Sequence, residues 1–226
     1  VLDINPNTII LLNTGSPISM PWLPKAKAVL QCWYPGQEFG NALVEILTGD
    51  VSPSGKLPTT FPMNIKDTPA FNSYPGEDLQ MNYEEKLLVG YKWYERKNIG
   101  TLFPFGHGLS YTKFEYSDLK IAKINDTDFI CRYIVKNTGS ISGSEISQCY
   151  VGNEEADKME PIKKLQGFCK THLEPGEHKE IGITLDERSF SNWSVSKNAW
   201  VVQNSSHKIY IGASSEDIRL KSEVNL

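Results

Sequence analysis

Residues 28–62 read AVLQCWYPGQEFGNALVEILTGDVSPSGKLPTTFP, and their pattern decides the fold. Residues 28–34 form a short, nearly unbroken apolar run, as expected of a parallel strand buried on both faces, and Pro35-Gly36 stops it. Phe39, Ala42, Leu43, Ile46 and Leu47 then recur at the three-and-four spacing of one helical face. Gly49 stands where a left-handed cap ends a helix. Gly40 inside that helix costs about 1 kcal/mol against alanine, so it predicts close approach to the strand before it. The order is strand, tight turn, helix, stop.

Ligands of open parallel sheets gather at the carboxyl edge of the strands, where Trp33, Tyr34, Gln37 and Glu38 would lie. A carboxylate in the first helical turn also complements the helix dipole, worth about 0.3–1 kcal/mol, which explains the residue type of Glu38 without any ligand. Residues 8–12 form an earlier apolar strand that ends in NTGSP (13–17) at a second carboxyl edge. Pro17, Pro21 and Pro24 keep the connection from being a long helix, so the two strands are expected to be parallel neighbours. Two parallel strands and one helix cannot cover both faces of a sheet, so further elements are expected from residues outside this stretch of chain. A start at Val1, a few residues before the first strand, likewise reads as an excerpt of a longer protein.

Past Asp50 the periodicity fades while Pro, Gly and aromatic residues become dense. Phe61, Phe71, Tyr74, Tyr83, Trp93, Tyr94, Phe103 and Phe105 make residues 63–112 a packed connector rather than disorder; residues 87–94 fit a short helix or a strand equally well. After Tyr111 the pattern turns to short strands divided by turns. Phe129, Cys131, Tyr133 and Val135 alternate with Ile130, Arg132, Ile134 and Lys136 before an Asn137-Thr-Gly turn. Runs at 144–151, 162–173, 180–185, 200–202, 208–211 and 217–220 bring the count to about seven, the signature of an antiparallel sandwich over 113–226.

The 226 residues carry 39% hydrophobic and 22% charged side chains and a net charge of -4, which gives no electrostatic reason to expect a nucleic acid or an anionic membrane as partner. No apolar run reaches the roughly 18 residues of a spanning helix. Cys32, Cys131, Cys149 and Cys169 are too scattered for a disulfide scaffold and favour a reducing, cytoplasmic compartment, although Asn125-Asp-Thr, Asn192-Trp-Ser and Asn204-Ser-Ser fit the glycosylation pattern. GDVSPSGK (49–56) fails as a phosphate loop, because five residues separate its glycines and Leu57 follows the lysine. Gly106-His-Gly108 has Tyr111 where a dinucleotide fingerprint needs glycine, and Gly139 to Gly143 has isoleucine where a nucleophile elbow needs serine. Cys169 and His172 lack the second pair that zinc requires, so neither metal nor cofactor is expected.

The blocks at 34–62, YPGE at 74–77, GYKWY at 90–94 and FPFGHGLSYT at 103–112 stand in an order that resembles glycoside hydrolase family 3, nearest its β-glucosidase branch. The resemblance implies that residues 1–62 end an α/β sandwich domain, 63–112 connect, and 113–226 form a fibronectin type III-like β-sandwich. The complete enzyme would remove terminal β-D-glucosyl residues with retention, which needs two carboxyl groups about 5–5.5 Å apart. In this branch the nucleophile sits on an amino-terminal barrel and the acid/base in the earlier part of the sandwich domain. Neither is here, so no catalytic role passes to Glu38, Glu77, Asp78, Glu84 or Glu85, and the chain alone is expected to be inactive. Trp33, Gln37 and Glu38 are the expected substrate-binding residues, lining a β-glucoside site completed by the missing barrel and first half of the sandwich domain. Glu85-Lys86 departs from the family's Glu-Gly pair, and Lys92 stands where arginine is usual.

The alternative is a non-catalytic module that binds carbohydrate or protein through its β-sandwich. It would need an exposed aromatic row, with Phe190, Trp193 and Trp200 as candidates, although core positions suit these residues better.

Overall fold

The computed structural model describes residues 1–78, 80–153, 156–203 and 205–226, so the acceptor triplet at Asn204 begins outside the described residues. Strands β1 (Ile9–Leu12) and β2 (Ala28–Gln31) pair in parallel, with Ile9 opposite Ala28 and Leu12 opposite Gln31. The pleat sends Ile10 and Leu12 into a cluster with Met20, Trp33, Phe61 and Phe103. It leaves Ile9 and Leu11 on the opposite face, 51% and 40% exposed. The expected burial on both faces is therefore met on one face only among these residues.

Helix α1 (Phe39–Thr48) follows and ends as its sequence predicts, with Gly49 at φ 86° donating its N–H to Ile46 O. Phe39, Leu43 and Ile46 are half-buried, and no residue of the helix is fully buried. A Cβ on Gly40 would meet nothing within 4 Å, which corrects the close approach expected from that glycine: among the described residues no element packs there.

Strand β3 (Phe61–Pro62) pairs antiparallel with β4 (Thr101–Phe103), bringing both ends of the connector together. Of the two readings open for 87–94, a helix is realised, α2 (Tyr91–Lys97), capped by Asn98 in the left-handed region. Phe61 and Tyr94 are buried and Trp93, Phe103 and Phe105 half-buried, as a packed connector requires. Phe71, Tyr74 and Tyr83 are 40%, 73% and 71% exposed, so the expectation fails over the arm that carries them.

The carboxyl-terminal half is a two-sheet sandwich. One sheet is ordered β5 (Phe114–Lys123), β6 (Phe129–Asn137), β9 (His178–Leu185). The other is ordered β13 (Ile218–Asn225), β12 (Ser206–Gly212), β7 (Gly143–Gly152), β8 (Lys163–Leu173). All pairings in both sheets are antiparallel. Phe129, Cys131, Tyr133 and Val135 alternate inward as their spacing predicts and meet Cys149, Val151, Ile209 and Ile211 of the facing sheet. Asn137, fully buried at the predicted turn, accepts from Thr112 Oγ1 and Gly139 N and donates to Ile141 O and Leu173 O, so no amide atom is left unsatisfied.

Two strands outside the sheets form a hairpin, β10 (Ser191–Ser194) with β11 (Ala199–Val202), joined to β9 by a 3-10 turn at Glu187–Phe190. Phe190 enters the core. Trp193 and Trp200 do not: they face each other across the hairpin at 5.7 Å, 48% and 44% exposed, with the Arg188 guanidinium 3.4 Å over Trp200. Their pairing off the sheets, rather than between them, is why the core assignment fails for these two.

The segment FPFGHGLS seams the two halves. Leu57 N donates to His107 O and Gly106 N to Leu57 O, each at 2.8 Å. Gly106 holds φ 80°, and a Cβ there would collide with Gln148, whose amide donates to Gly106 O and Ala213 O. A Cβ on Gly108 would strike Gly55 O. Gly106 therefore admits the Gln148 side chain across the seam and Gly108 a close backbone approach to Gly55, which accounts for the Gly-His-Gly.

His107 stacks on Phe103 at 5.1 Å. Burial first, and Lys56 second, hold its imidazole below the ordinary histidine range, against an opposite pull from Asp217 and Glu216. A base that is harder to protonate when folded makes the unfolded chain take up more protons, so stability is full above the unfolded value of 6.5 and falls as pH drops toward the folded one. Thermal melting between pH 7 and about 5 should show this loss, and His107→Gln should flatten it. Parallel pH profiles for the two chains would contradict the assignment.

Candidate functional site

The carboxyl edge of β1 and β2 is built by two loops, 13–22 and 32–38. Cys32 N–H donates to Leu12 O and continues the parallel ladder one step past the strands. Trp33 then turns the chain with φ 54°, a left-handed conformation costly for a large side chain and concentrated at functional edges. Its half-buried ring meets Phe61 edge-on at 6.2 Å, so the core beneath fixes the residue that the strained turn presents. Tyr34, 82% exposed, lies against Gly15, where a Cβ would collide with its ring. The two loops are thereby held together.

Gln37 and Glu38 follow at the entry to α1, both exposed. Glu38 is the residue before the helix, and its Oε2 accepts from Asn41 Nδ2 at 2.6 Å. The same loop carries all three residues expected from sequence: Trp33 partly covered, Gln37 and Glu38 open. Gln31 and Thr14 were not foreseen. Gln31 Nε2 donates to Thr14 O and Oγ1, bridging the loops, while Gln31 Oε1 is buried with no hydrogen-bond partner. An unsatisfied buried acceptor is costly unless a donor arrives, and a polar residue closing an apolar strand was the signal that could have marked it.

Loops 13–22 and 32–38 hold a single carboxyl group, Glu38, whereas retaining glycoside cleavage needs a facing pair. Burial pushes the Cys32 thiol up, away from the thiolate a nucleophile requires. Among the described residues no three His, Cys, Asp or Glu side chains group to hold a metal ion. His172 contacts Ser144 Oγ and Glu174 Oε1, while the Cys169 thiol lies against Thr171.

Residues 1–111 match the family model of the glycosyl hydrolase family 3 C-terminal domain, and residues 145–215 that of a fibronectin type III-like domain. Thermostable beta-glucosidase B of Acetivibrio thermocellus is 44% identical over 229 residues, a match that spans 100% of this chain and 30% of that protein. The crystal structure of a beta-glucosidase from Bifidobacterium adolescentis superposes with a TM-score of 0.96 at 38% identity, covering 100% of this chain and 34% of that one. The beta-glucosidase DesR of Streptomyces venezuelae, solved in complex with D-glucose, gives 0.95 at 40% identity, covering 100% and 30%. The chain thus spans about a third of the length of these relatives. Matched from end to end, with the α/β segment first and the β-sandwich second, the chain belongs to glycoside hydrolase family 3.

Proposed function

We propose that this chain works as the carboxyl-terminal portion of a retaining β-glucosidase that releases terminal β-D-glucosyl residues. In this reading residues 1–62 end the α/β sandwich domain, 63–112 connect, and 113–226 form the supporting β-sandwich. The observation that carries it is the end-to-end match to beta-glucosidases of which the chain makes up only about 30%. The single carboxylate at the carboxyl edge agrees: both bond-breaking acids would come from the barrel and the first half of the sandwich domain. The uncovered face of β1 and β2, with Ile9 and Leu11, is where such residues would pack. Trp33 would present an apolar ring to the sugar, and Gln37 and Glu38 would accept from its hydroxyls.

The experiment is hydrolysis of an aryl β-glucoside by the intact polypeptide that carries this chain, with the anomer of the released glucose read by NMR. Release of the β-anomer is expected; release of the α-anomer, or no turnover, would contradict the reading. Within that enzyme Trp33→Ala should lower kcat/KM about tenfold, equivalent to about 1.4 kcal/mol of lost contact, and Glu38→Gln by less. A loss of several thousandfold at Glu38 would make it a catalytic acid instead.

One observation favours a second reading. The half-exposed Trp193–Trp200 pair supplies an aromatic surface of the kind sugar-binding modules use, on a hairpin away from the carboxyl edge. Glycan-array binding by the chain, abolished in Trp193→Ala, would support a binding module; an array without signal would remove it.

A further inference from the structure

Where α2 and β4 meet the β12–β13 loop, the structure leaves a half-open cavity of about 260 Å³. Its walls include Thr60, Tyr91, Tyr94, Glu95, Thr101 and Glu216, none of them in the loops that follow β1 and β2. That space equals about nine waters at about 30 Å³ each, enough for a ring of monosaccharide size. The walls hold an unusual share of unmet polar groups. Of the four buried side-chain atoms without a hydrogen-bond partner among the described residues, Thr60 Oγ1 and Glu95 Oε2 belong to residues that line it, both atoms closed off from solvent as the side chains stand. Thr60 is only 5% exposed.

The chemistry of these groups narrows the occupant. A carboxylate oxygen only accepts, so whatever satisfies Glu95 Oε2 must bring donors. Glu95 Oε1 already holds the Lys163 ammonium, which would repel a second cation beside it. Glu216 Oε1 accepts from Thr101 Oγ1 at 2.8 Å, leaving its other oxygen as one more acceptor on the exposed rim. Tyr91 stacks on Phe105, and burial pushes its phenol up to about 12, so it stays neutral. The ring of Tyr91 and the side chain of Ile99 complete an apolar wall against which C–H groups can lie. Acceptors on one side, an apolar wall on the other and a fixed positive charge behind the carboxylate suit hydroxyl donors on a carbon ring.

We propose that this cavity binds a neutral polyhydroxylated molecule of monosaccharide size, at a site separate from the carboxyl edge of β1 and β2. Turning the Thr60 side chain toward the cavity would bring its hydroxyl to the ligand, while Glu95 stays held by Lys163. Occupancy would tie the first half of the chain to the β-sandwich, since Thr60, Tyr94 and Thr101 come from one and Ser215 and Glu216 from the other. The site stands whether or not the polypeptide hydrolyses glucosides.

The test is calorimetric titration of the intact polypeptide with D-glucose, comparing the natural chain with Thr60→Val and Glu216→Gln and measuring aryl glucoside hydrolysis alongside. Thr60→Val removes a hydroxyl that has no partner, so folding should survive it; Glu216→Gln changes an exposed rim residue and serves as the second variant. A saturable glucose event at least tenfold weaker in both variants, with unchanged hydrolysis rates, is expected. Identical affinity and stoichiometry in all three chains would overturn the proposal and leave the cavity to water. Absence of hydrolysis in the natural chain would count against the glucosidase reading alone, because the comparison of glucose binding does not use it.

Discussion

Glu145→Ala should lower the unfolding free energy of this chain by about 3–5 kcal/mol, because it strands a buried ammonium. Lys56 comes from the segment before β3 and Glu145 from β7; their side chains are 11% and 7% exposed and 3.2 Å apart. The same carboxylate oxygen accepts from the Tyr116 hydroxyl at 2.8 Å. Burial, reinforced by the Glu145 charge, pushes that phenol well above the ordinary tyrosine range, so it remains a donor in need of an acceptor. Removing the carboxylate therefore leaves two buried donors unmatched at the seam between the halves. In a chain of this size the loss corresponds to a fall in Tm of about 10 °C. Glu145→Gln keeps an acceptor for the tyrosine and should lose less. Urea melts with the same midpoint for natural chain and Glu145→Ala would mean that Lys56 is solvated and the seam is not pinned there.

Phe61→Ala should cost a comparable 3–5 kcal/mol, this time beneath the candidate site. Phe61 is 1% exposed, with Trp33 and Phe103 edge-on to it at 6.2 and 6.1 Å. Its removal leaves a cavity under the left-handed turn at Trp33, so stability and the pose of the tryptophan fail together. In the intact polypeptide kcat/KM should then drop at least as far as in Trp33→Ala, while Phe61→Leu, which keeps most of the volume, should retain the greater part of both. Loss of stability with unchanged kcat/KM would detach Trp33 from any sugar contact.

What the sequence revealed and what it hid have physical causes. The parallel pair β1–β2, α1 with its Gly49 stop and the inward alternation of β6 were readable because each is a local periodicity bounded by glycine or proline. Strand β5 was not singled out: its partly exposed face and the interruption at Ser117 to Lys120 in its pairing with β6 blur the two-residue rhythm. Strand β10 is a four-residue run of polar residues around one tryptophan and carries no alternation to detect. Gly40 misled because its rule presumes a neighbour, and no neighbour lies within reach. At the carboxyl edge, Trp33, Gln37 and Glu38 could be named from their place after a strand. Gln31 offered only the weaker signal of a polar residue closing an apolar strand; that its amide bridges to Thr14 while its oxygen is left without a partner shows only in the folded loops. The glycines of the Gly-His-Gly segment acquire a reason only once Gln148 and Gly55, distant in sequence, stand against them.

The most direct measurement is turnover of an aryl β-glucoside by the purified 226-residue chain beside the intact polypeptide. No turnover by the chain, with full activity in the intact polypeptide, is the expected result, because Glu38 has no second carboxylate in the loops around it. Hydrolysis by the chain alone that disappears in Glu38→Gln, with contaminating enzyme excluded, would contradict the central claim that the bond-breaking acids lie elsewhere.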